Sequence, residues 1–180
     1  MKVLETDRLI LRRLNIDDDE FIIELVNDPS FIRYIGDKGV RTLDDARNYI
    51  LNGPVASYEK FGYGLFATEL KEGNVPIGMC GILKRDTLQH ADIGFAFLPR
   101  YWNKGYAFEA AAAVMKYARE VLGMDQVLAI TTPDNEASGR LLEKIGLRFE
   151  QMIKLSEDAA EVKLFTSEGE RARESDRGRA

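Results

Sequence analysis

The feature that most constrains this chain is a change of hydrophobic period at Pro99. Upstream, the runs 64–70, 76–83 and 91–97 are apolar and are separated by the polar stretches Lys71-Glu72-Gly73-Asn74 and Arg85-Asp86-Thr87. That pattern reads as an antiparallel meander of three strands. Downstream, Ala107, Ala110, Ala111, Val114, Met115, Ala118 and Val121 recur at intervals of three and four and stop at Gly123. This spacing marks one apolar face of a long helix with a glycine at its end. The stretch Pro99 to Ala107 therefore joins a buried strand to a helix start.

The flanking segments complete one α/β domain. Arg8-Leu9-Ile10-Leu11-Arg12 reads as a first strand with charged ends. Asp17, Asp18, Asp19 and Glu20 precede Phe21, Ile22, Leu25 and Val26, as suits carboxylates at the positive end of a helix. Thr42 and Asp45 form a capping-box pattern before a second helix, which Pro54 is expected to end or bend. After the long helix come a short buried strand over 127–130 and a helix carrying Ala137, Leu141, Leu142 and Ile145, closed by Gly146. A final strand pair follows over 147–155 and 162–166. Residues 167–180 hold two alanines among charged and small side chains, so they are expected to form a frayed tail outside a single domain spanning 1–166. A chain of 180 residues with 45% apolar positions has enough length to bury roughly 70% of its unfolded surface.

Several classes of function are excluded. One cysteine, Cys80, permits no internal disulfide, and one histidine, His90, builds no multi-histidine site, so no metal is expected. A net charge of −5 argues against a phosphate-gathering surface, so no nucleic-acid partner is expected. No apolar run approaches a membrane span, and the first residues lack the apolar stretch of a secretory signal, so a cytoplasmic location is expected. Lys104 precedes Gly105 where a Walker loop needs the reverse order. Gly62, Gly64 and Ala67 match a dinucleotide fingerprint by spacing, but a strand rather than a helix follows them. Neither a Gly-x-Ser-x-Gly elbow nor a His-Glu-x-x-His helix is present.

Pro99-Arg100-Tyr101-Trp102-Asn103-Lys104-Gly105-Tyr106-Ala107 remains. A helix start exposes unpaired N–H groups and about half a positive charge, and Gly105 and Ala107 keep side chains out of an anion's way. Such a turn can cradle a pyrophosphate. On spacing alone, a plain strand-to-helix turn with a glycine is the preferred account, since helix starts far outnumber phosphate sites.

In order along the chain stand Thr6-Asp7-Arg8-Leu9-Ile10-Leu11-Arg12, then Asp92-Ile93-Gly94-Phe95 leading into Trp102-Asn103-Lys104-Gly105-Tyr106-Ala107-Phe108-Glu109-Ala110. Asn135-Glu136-Ala137-Ser138 follows, before Glu143-Lys144-Ile145-Gly146-Leu147. From residue 5 to 166 this series resembles the GNAT superfamily of acyl-CoA N-acyltransferases, in particular its RimJ/RimL-like branch. The resemblance implies a mixed, mostly antiparallel six- to seven-stranded sheet flanked by about four helices, with splayed central strands. It implies acetyl-CoA as co-substrate, its pantetheine lying along the main chain at Phe95 and Phe97. The pyrophosphate would rest on the turn of Trp102, Asn103, Lys104, Gly105, Tyr106 and Ala107, near Asn135. Lys104 is at most an auxiliary charge, and simple solvation is the preferred reading of it.

The implied reaction is direct acetyl transfer to a primary amine, either a protein N-terminus or a small molecule. Asp92 stands where the family commonly has a glutamate and is the candidate base. An aspartate of ordinary pKa matches an ammonium poorly, which favours action through water or by positioning; a solvated strand-edge Asp is the competing reading. Many relatives protonate the leaving thiolate with a tyrosine, but the matching residue is Leu142. Ser138 resembles the serine of the RimJ/RimL-like pattern and is the candidate donor, unless Asn135 simply caps the helix and Ser138 is its third residue. Trp102 replaces the arginine or glutamine of many relatives, and Leu147 replaces a phenylalanine. Cys80 in an apolar strand reads as inert packing. The missing tyrosine keeps a second class open, a catalytically silent acyl-CoA sensor. Monomer and homodimer both fit the sequence.

Overall fold

The computed structural model describes residues 1–168. Its eight strands form one sheet in the order β1-β2-β3-β4-β5-β6-β8-β7. These are β1 (Lys2–Glu5), β2 (Leu9–Arg13), β3 (Leu65–Leu70), β4 (Val75–Leu83), β5 (Asp92–Phe97), β6 (Leu128–Thr131), β7 (Leu147–Ile153) and β8 (Val162–Ser167). All neighbours are antiparallel except β5 and β6. The helices are α1 (Asp19–Val26), α2 (Pro29–Tyr34), α3 (Leu43–Ile50), α4 (Ala56–Phe61), α5 (Tyr106–Glu120) and α6 (Glu136–Lys144).

The meander expected upstream of Pro99 is β3-β4-β5, and the expected long helix is α5. The sheet has one strand more than expected because Lys2–Glu5 folds back on β2. Helices α2 and α4 are also additional. Pro54 does not end its helix. The chain widens into one turn of π-helix over Leu51–Val55 and continues as α4, which tolerates a residue lacking an N–H. Strand β8 runs one residue past the expected boundary, because Ser167 Oγ accepts the Val127 N–H at 2.8 Å and the Ser167 N–H donates to the Val127 carbonyl at 2.9 Å. The rest of the expected tail, residues 169–180, lies outside the described residues.

Alternation divides the core between the two faces of the sheet. On one face Cys80, Ile82, Ile93 and Phe97 pack with Ala110, Ala111, Val114 and Ala118 of α5 and Leu142 of α6. The buried alanines let α5 lie close against the strands. On the other face Ala67, Met79 and Leu98 meet Phe21, Ile22 and Leu25 of α1, Phe31 of α2 and Ile50 of α3. The acidic run before α1 does more than face a helix start. Asp18 is buried and takes both Nη groups of Arg12 at 2.6 and 2.9 Å, while Asp19 pairs with Arg47 at 2.8 Å. Among the described residues, no helix is long and apolar enough to cross a membrane.

Candidate active site

Parallel strands β5 and β6 pair only at Asp92↔Leu128, where the Leu128 N–H donates to the Ala91 carbonyl at 2.9 Å. A cleft of about 900 Å³ is lined by both strands, by the turn leading into α5 and by α6. Which main-chain groups face it follows from alternation. The Ala91 carbonyl faces β6, and the Leu98 N–H faces β4, donating to Ile77 at 2.9 Å. The polar groups of Ile93, Phe95 and Phe97 therefore point toward β6, and those of Phe95 and Phe97 lie beyond the single pairing. The Trp102 indole takes the Phe97 carbonyl, donating from Nε1 at 2.8 Å. The N–H groups of Phe95 and Phe97 and the Phe95 carbonyl are left facing the opening. Pro99 begins a 3-10 turn, Pro99–Tyr101, that carries the chain off the sheet.

The turn reaches α5 through two left-handed residues, Asn103 at φ 60° and Gly105 at φ 80°. Gly105 is the N-cap of α5, and no side chain caps the helix. The N–H groups of its first turn are thus available to an anion. A second device holds this turn in place. Glu109, one turn into α5, accepts the Thr6 hydroxyl at 2.6 Å, the Arg8 N–H at 2.9 Å and Arg8 Nε at 2.7 Å. Arg8 Nη1 then donates to the Lys104 carbonyl at 2.9 Å, and the guanidinium lies over the Tyr106 ring at 4.4 Å. These bonds lock the free end of α5 to the N-terminal strands. Thr6, Arg8 and Glu109 carried the family pattern in the sequence without an assigned task. Residues a hundred positions apart give no local sign of contact.

Asp92 faces the α1–α3 side of the sheet and is not a solvated edge residue. It is 1% exposed, and both carboxylate oxygens lie 3.1 Å from Arg85 Nε. Burial pushes its pKa up to about 6 against the opposing pull of Arg85. Arg85, in the loop after β4, was read from sequence only as part of a turn. Asn135 caps α6, its Oδ1 accepting the Ser138 N–H at 3.2 Å. The Ser138 hydroxyl has no hydrogen-bond partner among the described residues, and Ser138 lines the cleft. Leu142, where the tyrosine is missing, is buried. Burial also drives the Cys80 thiol far above its ordinary range, which leaves no thiolate for covalent chemistry.

Of the expected site residues, Asp92, Phe95, Phe97, Trp102, Asn103, Gly105, Tyr106, Ala107, Asn135 and Ser138 all line this one cleft. The Lys104 side chain does not; its ammonium lies 5.8 Å from the Tyr101 ring. The far side of the cleft, formed by α1 to α3, contributes Phe31, Tyr34, Lys38 and Tyr49, none of which stood out in the sequence.

Residues 8–148 match the family model described as Acetyltransferase (GNAT) domain. The chain is 32% identical over 154 residues to the uncharacterized N-acetyltransferase YoaA of Bacillus subtilis, covering 84% of this chain and 86% of that protein. A GNAT-family acetyltransferase from Bacillus anthracis superposes with a TM-score of 0.75 at 29% identity, over 92% of this chain and 97% of that one. RimL, a ribosomal L7/L12 alpha-N-protein acetyltransferase solved with coenzyme A, superposes with a TM-score of 0.78 at 17% identity, over 92% and 97% of the two chains. At that identity RimL speaks to the fold alone.

Proposed function

Because the chain belongs to the GNAT acetyltransferase family, we propose that it transfers an acetyl group directly from acetyl-CoA to a primary amine, of a protein N-terminus or of a small molecule. The observation that carries this reading is the meeting in one cleft of three features: the uncapped start of α5, the open main chain of β5, and a buried carboxylate. The residues present suit the co-substrate. N–H groups from Asn103 to Ala107 would receive the diphosphate, with Gly105 supplying a backbone shape that other residues adopt poorly. The exposed edge at Phe95 and Phe97 would pair with the amides of the pantetheine as an added strand does. Acetyl-CoA supplies an acyl group activated as a thioester.

The chain's own groups do the rest. Asp92, acting through a water, accepts the proton the ammonium must lose; with a pKa near 6 it is a stronger base than an ordinary aspartate and is still ionised at neutral pH. As the amine lone pair forms the new C–N bond and the C–S bond breaks, the Phe95 N–H would meet the charge building on the carbonyl oxygen. Ser138 Oγ would give a proton to the departing sulfur and regain one from solvent. Incubation with acetyl-CoA and a panel of amines and peptides, followed by free-thiol release, tests the reading. Acceptor-dependent turnover is expected. Tight coenzyme binding with no turnover for any acceptor would instead favour the silent sensor, to which the buried Leu142 in the tyrosine position lends its support.

A further inference from the structure

The acceptor side of the cleft carries cationic donors without partners. Asp92, Arg85 and Lys38 all line it. Arg85 meets Asp92 through Nε alone, and its two Nη groups have no hydrogen-bond partner among the described residues. Lys38, in the loop between α2 and α3, makes no ion pair among the described residues. Its pKa is lowered by the surrounding protein and by the nearby Arg85 charge. Asp28, a further carboxylate lining the cleft, is occupied at its Oδ1 by the Ser30 N–H as the cap of α2. Asp134, also in the lining, is paired with Arg33 at 3.1 Å, so the Lys38 ammonium and the two Nη groups of Arg85 are the donors left without an ion-pair partner here. Coenzyme phosphates do not account for them, because Asp92 stands five residues before Phe97 on β5, about 16 Å from the α5 end of the cleft at strand rise.

Resting on the acetyl-transfer reading above, we infer that the acceptor is a free amino acid with an apolar side chain, its carboxylate held by Arg85 and Lys38 and its amino group placed one water from Asp92. The spacing suits this class. The Arg85–Asp92 separation of 3.1 Å presents a donor fork and a carboxylate side by side, which complements an ammonium and a carboxylate two bonds apart. A guanidinium fork binds a carboxylate through paired, charge-assisted hydrogen bonds. Phe31, Tyr34, Tyr49, Met79 and Leu83 supply an apolar wall for the side chain in the same cleft. A peptide N-terminus fits less well, since its first carbonyl is an uncharged amide that leaves both cations unanswered.

The test uses the full chain, saturating acetyl-CoA, thiol release and product mass. The acceptors are the twenty amino acids, the amides and decarboxylated amines of the apolar ones, and peptides with apolar N-termini. The expected result is a kcat/KM at least about tenfold higher for an apolar amino acid than for its amide, as loss of a charge-assisted contact implies. Lys38→Met and Arg85→Gln should each shrink that ratio several-fold, whereas Arg85→Lys should keep part of it. The KM for acetyl-CoA in each variant reports whether the cleft has remained folded, and Lys38→Met carries the test if Arg85→Gln does not fold. Amides, simple amines or peptides that react as well as the amino acids overturn the inference and leave acetyl transfer standing. Thiol release with none of these acceptors overturns the inference, and the wider amine and peptide panel described above then decides separately whether acetyl transfer stands.

Discussion

Replacing Asp92 by asparagine should change how stability depends on pH. In the folded protein the carboxyl titrates near 6 instead of its ordinary 3.8, because burial penalises the anion more than Arg85 rewards it. Between those values the folded state holds a proton that the unfolded chain has released. Stability therefore falls as pH rises from about 4 to about 6, and is level above that. A shift of about two units corresponds to about 3 kcal/mol. Asparagine keeps the shape and does not titrate. The Arg85 charge contact is already contained in the wild-type pKa of about 6, and whatever contact asparagine keeps with Arg85 does not titrate, so it enters as a constant offset. Urea unfolding of both proteins from pH 3.5 to 7.5 isolates the effect. The stability of the variant relative to wild type should improve by up to about 3 kcal/mol across that window, whatever other carboxylates contribute to both. A flat difference, or one of opposite sign, would refute the reasoning and mean that Arg85 holds Asp92 as a comfortable anion. Kinetics supply a second reading: kcat/KM of the wild type should rise with pH through a limb near 6, and the residual activity of the variant should lack that limb.

Two further outcomes bear on the coenzyme side. Gly105→Glu places a Cβ 3.2 Å from Arg8 Nη2 at a φ of 80° and sets a negative charge at the start of α5; calorimetry should show coenzyme A binding weakened tenfold or more while circular dichroism stays near wild type, and unchanged affinity would reject the assigned turn. Ser138→Ala leaves the Asn135 cap in place, because that bond uses the Ser138 main-chain N–H; kcat should fall about tenfold or more with the coenzyme dissociation constant unchanged, and a wild-type kcat would remove Ser138 from the mechanism.

Much of this was written locally in the chain. The meander, the alanine face of α5 and the glycine that starts it follow from period and from conformational preference, which act over a few residues. Asn135 was readable as a cap for the same reason, and Leu142 in the tyrosine position is plain from the resemblance. The additional strand β1 and the passage through Pro54 escaped because neither has a strong period. Lys2–Glu5 is held by pairing to β2, and the turn at Pro54 by its place between two packed helices.

What the sequence by itself determined is the order of the elements and the chemistry of the turn before α5, since hydrophobic period, glycine and proline act on neighbouring residues. Only the tertiary structure decided the condition of Asp92, the lock of Thr6 and Arg8 on Glu109, and the placing of Lys38 opposite Arg85. Burial and Coulomb forces depend on which atoms meet in space. The partners here come from different strands, helices and loops, so no pattern along the chain announces them.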